Sequence, residues 1–137
     1  MPPLPSLVFK GYIDAIFTNG DEIIIIDWKF SKKAWHPYKK SDKSLHYQLI
    51  LYKFFYALQT GIHPDKIKVY FCIMKREAKK GKHIEFLPIT SGKKKMSNAL
   101  EWLSGVVHGA YNKKFFPKYK DSCKWCPWKK TPQCPDS

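Results

Sequence analysis

Arginine is nearly missing from this chain: of its 25 basic residues Arg76 alone is arginine, and the rest are lysines. Lysine is a point charge on a flexible stem, suited to phosphates rather than to bidentate reading of base edges. Acidic residues are scarce too, 11 in all, so the formal net charge is +14. Such a balance selects a polyanion as partner, bound with little sequence preference. No apolar run is long enough to cross a bilayer, and the start M-P-P-L-P lacks the basic residues that open a signal peptide. A membrane partner is thus not expected, and the predicted location is the cytoplasm or the interior of a virus's host cell. Cysteine is sparse and uneven: Cys72 stands alone in an apolar run, while Cys123, Cys126 and Cys134 crowd the C-terminal end. Without a secretory start this spacing argues against a disulfide framework and for metal or cluster ligation. Internal repeats and linkers are absent. A length of 137 residues predicts one domain with a real core, divided into a core at 1–120 and a cysteine-rich tail at 121–137.

What the sequence does have is residues 21–30, D-E-I-I-I-I-D-W-K-F. Four consecutive isoleucines are β-branched and apolar and predict a buried strand. Within it Asp27 and Lys29 lie two apart and so share one face, opposite Ile26, Trp28 and Phe30. A buried charge without a partner is costly, so the pair needs a reason. Two are open: a structural salt bridge at a strand end, or a metal-binding carboxylate beside a lysine that handles a phosphate or a water.

Residues 7–17 (L-V-F-K-G-Y-I-D-A-I-F) predict a second strand, and T-N-G-D at 18–21 predicts the hairpin turn between them. With Asn19-Gly20 as a two-residue turn, Asp14 lies opposite Ile25 and diagonal to Asp27, on the same face. Diagonal neighbours sit about 7–8 Å apart, close enough for two carboxylates to grip one small cation.

Downstream, residues 31–44 read as a polar, lysine-rich loop in which Trp35, His36 and Tyr38 interleave with Lys32, Lys33, Lys39, Lys40 and Lys43. The pattern fits a single-strand contact surface, with aromatic rings stacking bases and lysines holding phosphates; it equally fits a loop whose tryptophan is tucked onto the core. Residues 45–60 predict a helix, apolar nearly all round and stopped by Gly61, with Gln48 and Tyr52 stacked on one face. His46 near its start reads as a surface or capping group. Residues 66–76 predict a central strand with Cys72 as a small buried hydrophobe, and residues 83–90, interrupted by Pro88, an edge strand. A long amphipathic helix follows, its buried stripe running from Met96 through Leu103 to Tyr111 and its end at 115–117.

Taken together, G-Y-I-D at 11–14, I-D-W-K at 26–29, Q-L-I-L-Y at 48–52 and C-x2-C-x7-C at the tail resemble the PD-(D/E)XK nuclease superfamily in its RecB-like branch. That branch includes the nuclease domains of bacterial recombination helicase-nucleases and RecB-like exonucleases associated with CRISPR systems. The resemblance implies an α/β fold with a central mixed sheet flanked by helices. It also implies Mg²⁺- or Mn²⁺-dependent hydrolysis of DNA phosphodiesters, by an exonuclease or an end- or single-strand-acting nuclease of recombination, repair or phage DNA processing. Asp14, Asp27 and the Trp28 backbone carbonyl would then hold the metal, and Lys29 would orient water or stabilise charge on the phosphate. Gln48 and Tyr52 would contact DNA or brace the site, with Lys32, Lys33, Trp35, Lys39 and Lys40 as further DNA contacts.

Relatives carry an upstream helical segment with a further acidic or histidine ligand, and cluster-binding relatives take their first cysteine from it. That segment is expected to be missing here. Cys123, Cys126 and Cys134 are then a partial cluster or zinc site, and no intact iron–sulfur cluster is expected in this chain. The alternative function is a catalytically incomplete DNA-binding domain of the same fold within a larger helicase-nuclease complex, so a helicase or a second copy is a possible partner. A third reading, a lysine-rich RNA-binding protein with a zinc knuckle, wants four ligands where the tail offers three.

Overall fold

The computed structural model describes residues 8–112, 124–132 and 134. Its organising strand is β2, Glu22–Ser31, where the four isoleucines stand. β1, Ala15–Asn19, pairs with it antiparallel, and β3, Ile67–Lys75, pairs with its other edge in parallel. β4, Ile84–Pro88, adds to β3 antiparallel, so the sheet order is β1-β2-β3-β4. The sheet is mixed, as expected. β3 is interior and β4 is an edge, which Pro88 suits because it has no N–H to give a further neighbour.

The turn between β1 and β2 differs from expectation. Asn19 pairs with Glu22, so the two-residue loop is Gly20-Asp21 rather than Asn19-Gly20. Gly20 takes φ +60, and a hairpin turn with glycine first needs that positive value at its leading position alone. The ladder ends at Ala15 opposite Ile26, which puts Asp14 level with Asp27 rather than with Ile25. Both loops have two residues, so the face assignment survives the shift. β1 is also shorter than predicted: residues 8–14 approach it as irregular chain. Gly11 explains part of this path, since a Cβ there would lie 2.9 Å from Tyr52 Cε1.

The parallel step from β2 to β3 requires a crossover. It consists of the short helix α1, Pro37–Lys40, and the long helix α2, Lys43–Thr60. Asp42 caps α2 by accepting from Ser44 N at 2.9 Å, and the helix stops at Gly61. A 3-10 turn at Pro64–Lys66 then delivers the chain to β3.

Register sorts the core. Ile23, Ile25, Asp27 and Lys29 stand beside Ile67, Val69, Phe71 and Ile73, and this face lies under α2. Ile25, Phe71 and Ile73 are fully buried there, with Leu49 and Ile50 of α2 also fully enclosed. Cys72 is buried as predicted, and burial pushes its thiol pKa up. The other face is far more open: Trp28, Phe30, Ile84 and Phe86 are all exposed.

The segment at 31–44 is not the uniform loop expected. It contains α1, and Trp35 is 5% exposed, packed at a tilt against Phe71 with ring centroids 5.6 Å apart. Its ring is enclosed, so of the two readings open for Trp35 the one tucked onto the core holds, and its expected role as a DNA contact is corrected to a core anchor. Burial of a large aromatic contributes more than any loop preference.

α3, Lys93–Tyr111, begins three residues earlier than predicted, taking in the three lysines expected to precede it, and its buried stripe is shorter. Ala99 is fully buried and Met96, Leu100 and Leu103 are half-buried, whereas Tyr111 is exposed. The predicted helix end at 115–117 lies outside the described residues. The chain divides into two compact units, 1–101 and 102–137, with the boundary inside α3. In the second unit residues 124–132 form turns, with Lys129 N bonded to Cys126 O at 3.2 Å. Cys126 and Cys134 are half-buried, and Cys123 lies outside the described residues. Among the described residues no helix is long and apolar enough to cross a membrane.

Candidate active site

Asp27 is a carboxylate in the middle of an isoleucine strand, 3% exposed. The neighbouring positions on its face are core, so burial is dictated by the strand, and the charge must be answered locally. Lys29, on the same face, brings Nζ to 2.7 Å from Asp27 Oδ2. α2 supplies the rest. Gln48 Nε2 donates to Asp27 Oδ1 at 3.2 Å and to Tyr52 OH at 3.1 Å, while Lys29 Nζ donates to Gln48 Oε1 at 3.4 Å. This amide orientation is the one the charges demand, since a carboxylate only accepts and an ammonium only donates. Phe71 lies beneath the ammonium, 5.6 Å from ring centroid to Nζ.

The Lys29–Asp27 contact is a close charge pair whose geometry is not that of a hydrogen bond. Oδ2 is fully buried and has no aligned hydrogen-bond partner among the described residues. A buried carboxylate oxygen in this state has a lone pair to offer. On the β1 side, Trp28 N donates to Asp14 Oδ2 at 2.9 Å. A paired strand residue sends its N–H and C=O to the same edge, so the Trp28 carbonyl opens on the side where Asp14 stands. Two carboxylates and a carbonyl are hard oxygen donors, the set that suits Mg²⁺ or Mn²⁺ rather than a soft metal. Among the described residues no three His, Cys, Asp or Glu side chains gather to hold a metal, so further positions would fall to backbone oxygen and water.

The structure thus brings Asp27, Lys29, Gln48 and Tyr52 into one connected network and joins Asp14 to it through the Trp28 backbone. The lysines of the following segment do not gather with them. Lys40 ion-pairs with Glu85, Lys32 pairs with Glu77 at 3.4 Å, and Lys39 lies over the Trp35 ring at 4.5 Å; Lys33 is exposed. His46 Nε2 is bonded to Lys40 O at 2.6 Å, a structural contact.

Two features escaped sequence reasoning. Glu85 on β4 receives both Lys40 and Lys75, and its carboxyl is held below the usual carboxylate range, chiefly by the Lys40 hydrogen bond. Lys53, on the inner side of α2, is buried with Nζ on Ser91 Oγ at 3.0 Å, and desolvation lowers its pKa. Its position on an almost wholly apolar helix face was the available signal.

The profile of the PD-(D/E)XK nuclease superfamily matches residues 4–135. The chain belongs to that superfamily. Membership implies nuclease-type phosphodiester hydrolysis, and members typically use divalent metals such as Mg²⁺. No curated protein and no solved structure gives a match.

Proposed function

We propose that this superfamily member is a metal-dependent deoxyribonuclease that acts on ends or single strands, as RecB-like exonucleases do. The observation that carries the reading is Asp27: a carboxylate buried in an isoleucine strand, with Gln48 on one oxygen and the Lys29 ammonium 2.7 Å from the other, and Lys29 held in turn by the same glutamine. Asp14, Asp27 and the Trp28 carbonyl would hold the cation. When bound, the cation supplies Lewis acidity toward a phosphoryl oxygen and a water of lowered pKa. Lys29 sets positive charge where negative charge builds on the phosphate, and its side chain, 28% exposed against 5% for that of Asp27, is the member of the pair a substrate can reach. A place in recombination, repair or phage DNA processing, with a helicase or a second copy as partner, fits this chemistry. That no third carboxylate joins Asp14 and Asp27 among the described residues favours a second reading, a DNA-binding domain whose site is incomplete.

Incubation of labelled single- and double-stranded DNA with Mg²⁺, Mn²⁺ or EDTA separates them. Cleavage should need the metal and vanish in Asp14→Ala, Asp27→Asn and Lys29→Ala, with DNA binding retained because most of the 25 basic residues lie elsewhere. Full activity in Lys29→Ala would sink the assignment. Binding without metal-dependent cleavage in the unaltered chain would select the second reading.

A further inference from the structure

The strand that carries Lys29 toward α2 turns its next side chain, Phe30, to the opposite face of the sheet. There Phe30 is 82% exposed, an extreme value for a large aromatic on an interior strand. It does not stand alone. Register places Phe30 beside Met74 and Met74 beside Ile84, one row across β2, β3 and β4. The preceding row is Trp28, Cys72 and Phe86, whose two outer rings are also exposed. The first row floors a groove of about 640 Å³ at the C-terminal ends of β2 and β3. Its rim is basic: Lys32, Arg76 and His83.

Arg76, the chain's one arginine, follows β3 with its backbone N–H on Ser31 O at 2.9 Å, so its side chain leaves from the end of the sheet. Its guanidinium has no ion-pair partner among the described residues, although Glu77 is next in sequence and pairs with Lys32 instead. Lys75 is taken by Glu85. An open apolar floor with a ring at its edge, a free guanidinium beside it, and Lys29 one residue away describe a site for something flat and attached to phosphate.

We propose that this groove seats an unpaired base of single-stranded DNA, stacked on Phe30, with Arg76 on the adjoining phosphate or ring. The proposal rests on the phosphodiesterase reading and specifies its substrate form. A strand whose phosphate lies at Lys29 passes over the end of β2, and the neighbouring base falls on the Phe30 side. Duplex DNA keeps its bases stacked on one another and cannot supply that ring. Preference for single strands therefore resides in the row Phe30–Met74–Ile84, the stacking role that the sequence pattern suggested for the now buried Trp35.

The test is anisotropy binding of a labelled 12-mer single strand, the same strand carrying abasic sites, and the matching duplex, all in EDTA so that no cleavage occurs. Phe30→Ala should weaken the single strand by roughly five- to a hundredfold, the range of one lost stacking contact. It should leave the abasic strand and the duplex within about twofold, and Phe30→Trp should restore single-strand affinity. Because Phe30 is exposed, the thermal midpoint of Phe30→Ala should match that of the parent chain. Unchanged single-strand affinity in Phe30→Ala, or an equal loss on the abasic strand, overturns the proposal. So does a chain that self-associates through this face and becomes monomeric in Phe30→Ala with affinity intact. Metal-dependent cleavage that Asp27→Asn abolishes, together with no effect of Phe30→Ala, would remove the groove's role and leave the phosphodiesterase reading standing. A chain that binds neither strand form removes both.

Discussion

Gln48 touches Asp27, Lys29 and Tyr52 of the proposed catalytic network, yet it cannot ionise. Its amide divides the work: nitrogen toward Asp27 and Tyr52, oxygen toward Lys29. Without it, Asp27 Oδ1 loses a donor and Lys29 loses the contact that limits its swing. Gln48→Leu keeps the helix packed and removes only the hydrogen bonds. Loss of such a supporting partner typically costs about 10- to 100-fold. The expected result is a kcat lowered by roughly that factor with KM within about threefold, measured by steady-state cleavage of a short oligonucleotide. A change confined to KM would move Gln48 from positioning the carboxylate to contacting DNA.

At the scale of elements, the segment between β2 and α2 is tied down by Trp35 on Phe71, by Lys40 on Glu85 and by Lys32 on Glu77. The second is pH-sensitive. Glu85 has a folded pKa below its unfolded value of about 4.3, so the stability it contributes is full above that value and is lost as pH falls through the folded one. Glu85→Gln should therefore lower stability by on the order of 1 kcal/mol at neutral pH, the range for partly exposed pairs. The gap to the parent should narrow in urea titrations as pH is lowered through the acid range. A gap independent of pH would mean the loss comes from packing rather than charge. These ties also explain what could be read from sequence and what could not. β2, α2 and the pairs Asp27–Lys29 and Gln48–Tyr52 rest on local patterns: a β-branched run, residues two apart on a strand, residues four apart on a helix; that the two pairs share a site is implied by the resemblance. The fate of Trp35 rests on Phe71, far along the chain, and the partner of Lys40 rests on Glu85. Neither has a local signature. The hairpin slip is intermediate, because T-N-G-D admits two two-residue turns and only the glycine-first form was built.

Within the unit that holds the sheet, charge is sorted along the strands. Asp21, Glu22 and Asp65 collect where β2 and β3 begin, and two of the three meet a lysine: Lys66 lies 3.8 Å from Asp21 and Lys68 lies 2.7 Å from Glu22. The far ends of the same strands carry Lys29, Lys32, Lys33, Lys75 and Arg76, with Lys79, Lys80 and Lys82 in the following turn. Among the described residues of this unit, lysine and arginine thus collect at the end where Asp27 and Lys29 face α2. Binding should accordingly be salt-dependent, with a slope of roughly −0.7 per phosphate contact on single strands. Sequence alone would assign several of these contacts to Lys32, Lys33, Lys39 and Lys40. In the folded chain three of those four are already engaged, by Glu77, by the Trp35 ring and by Glu85, which leaves Lys33. Converting all four to glutamine should therefore flatten the slope by about one unit, and Lys33→Gln alone should account for most of it. Affinity measured from about 50 to 200 mM salt gives the slope directly. A fall of three units or more would show that these ion pairs open to meet the nucleic acid, and would shift the main phosphate track from the β3–β4 end of the sheet to the crossover.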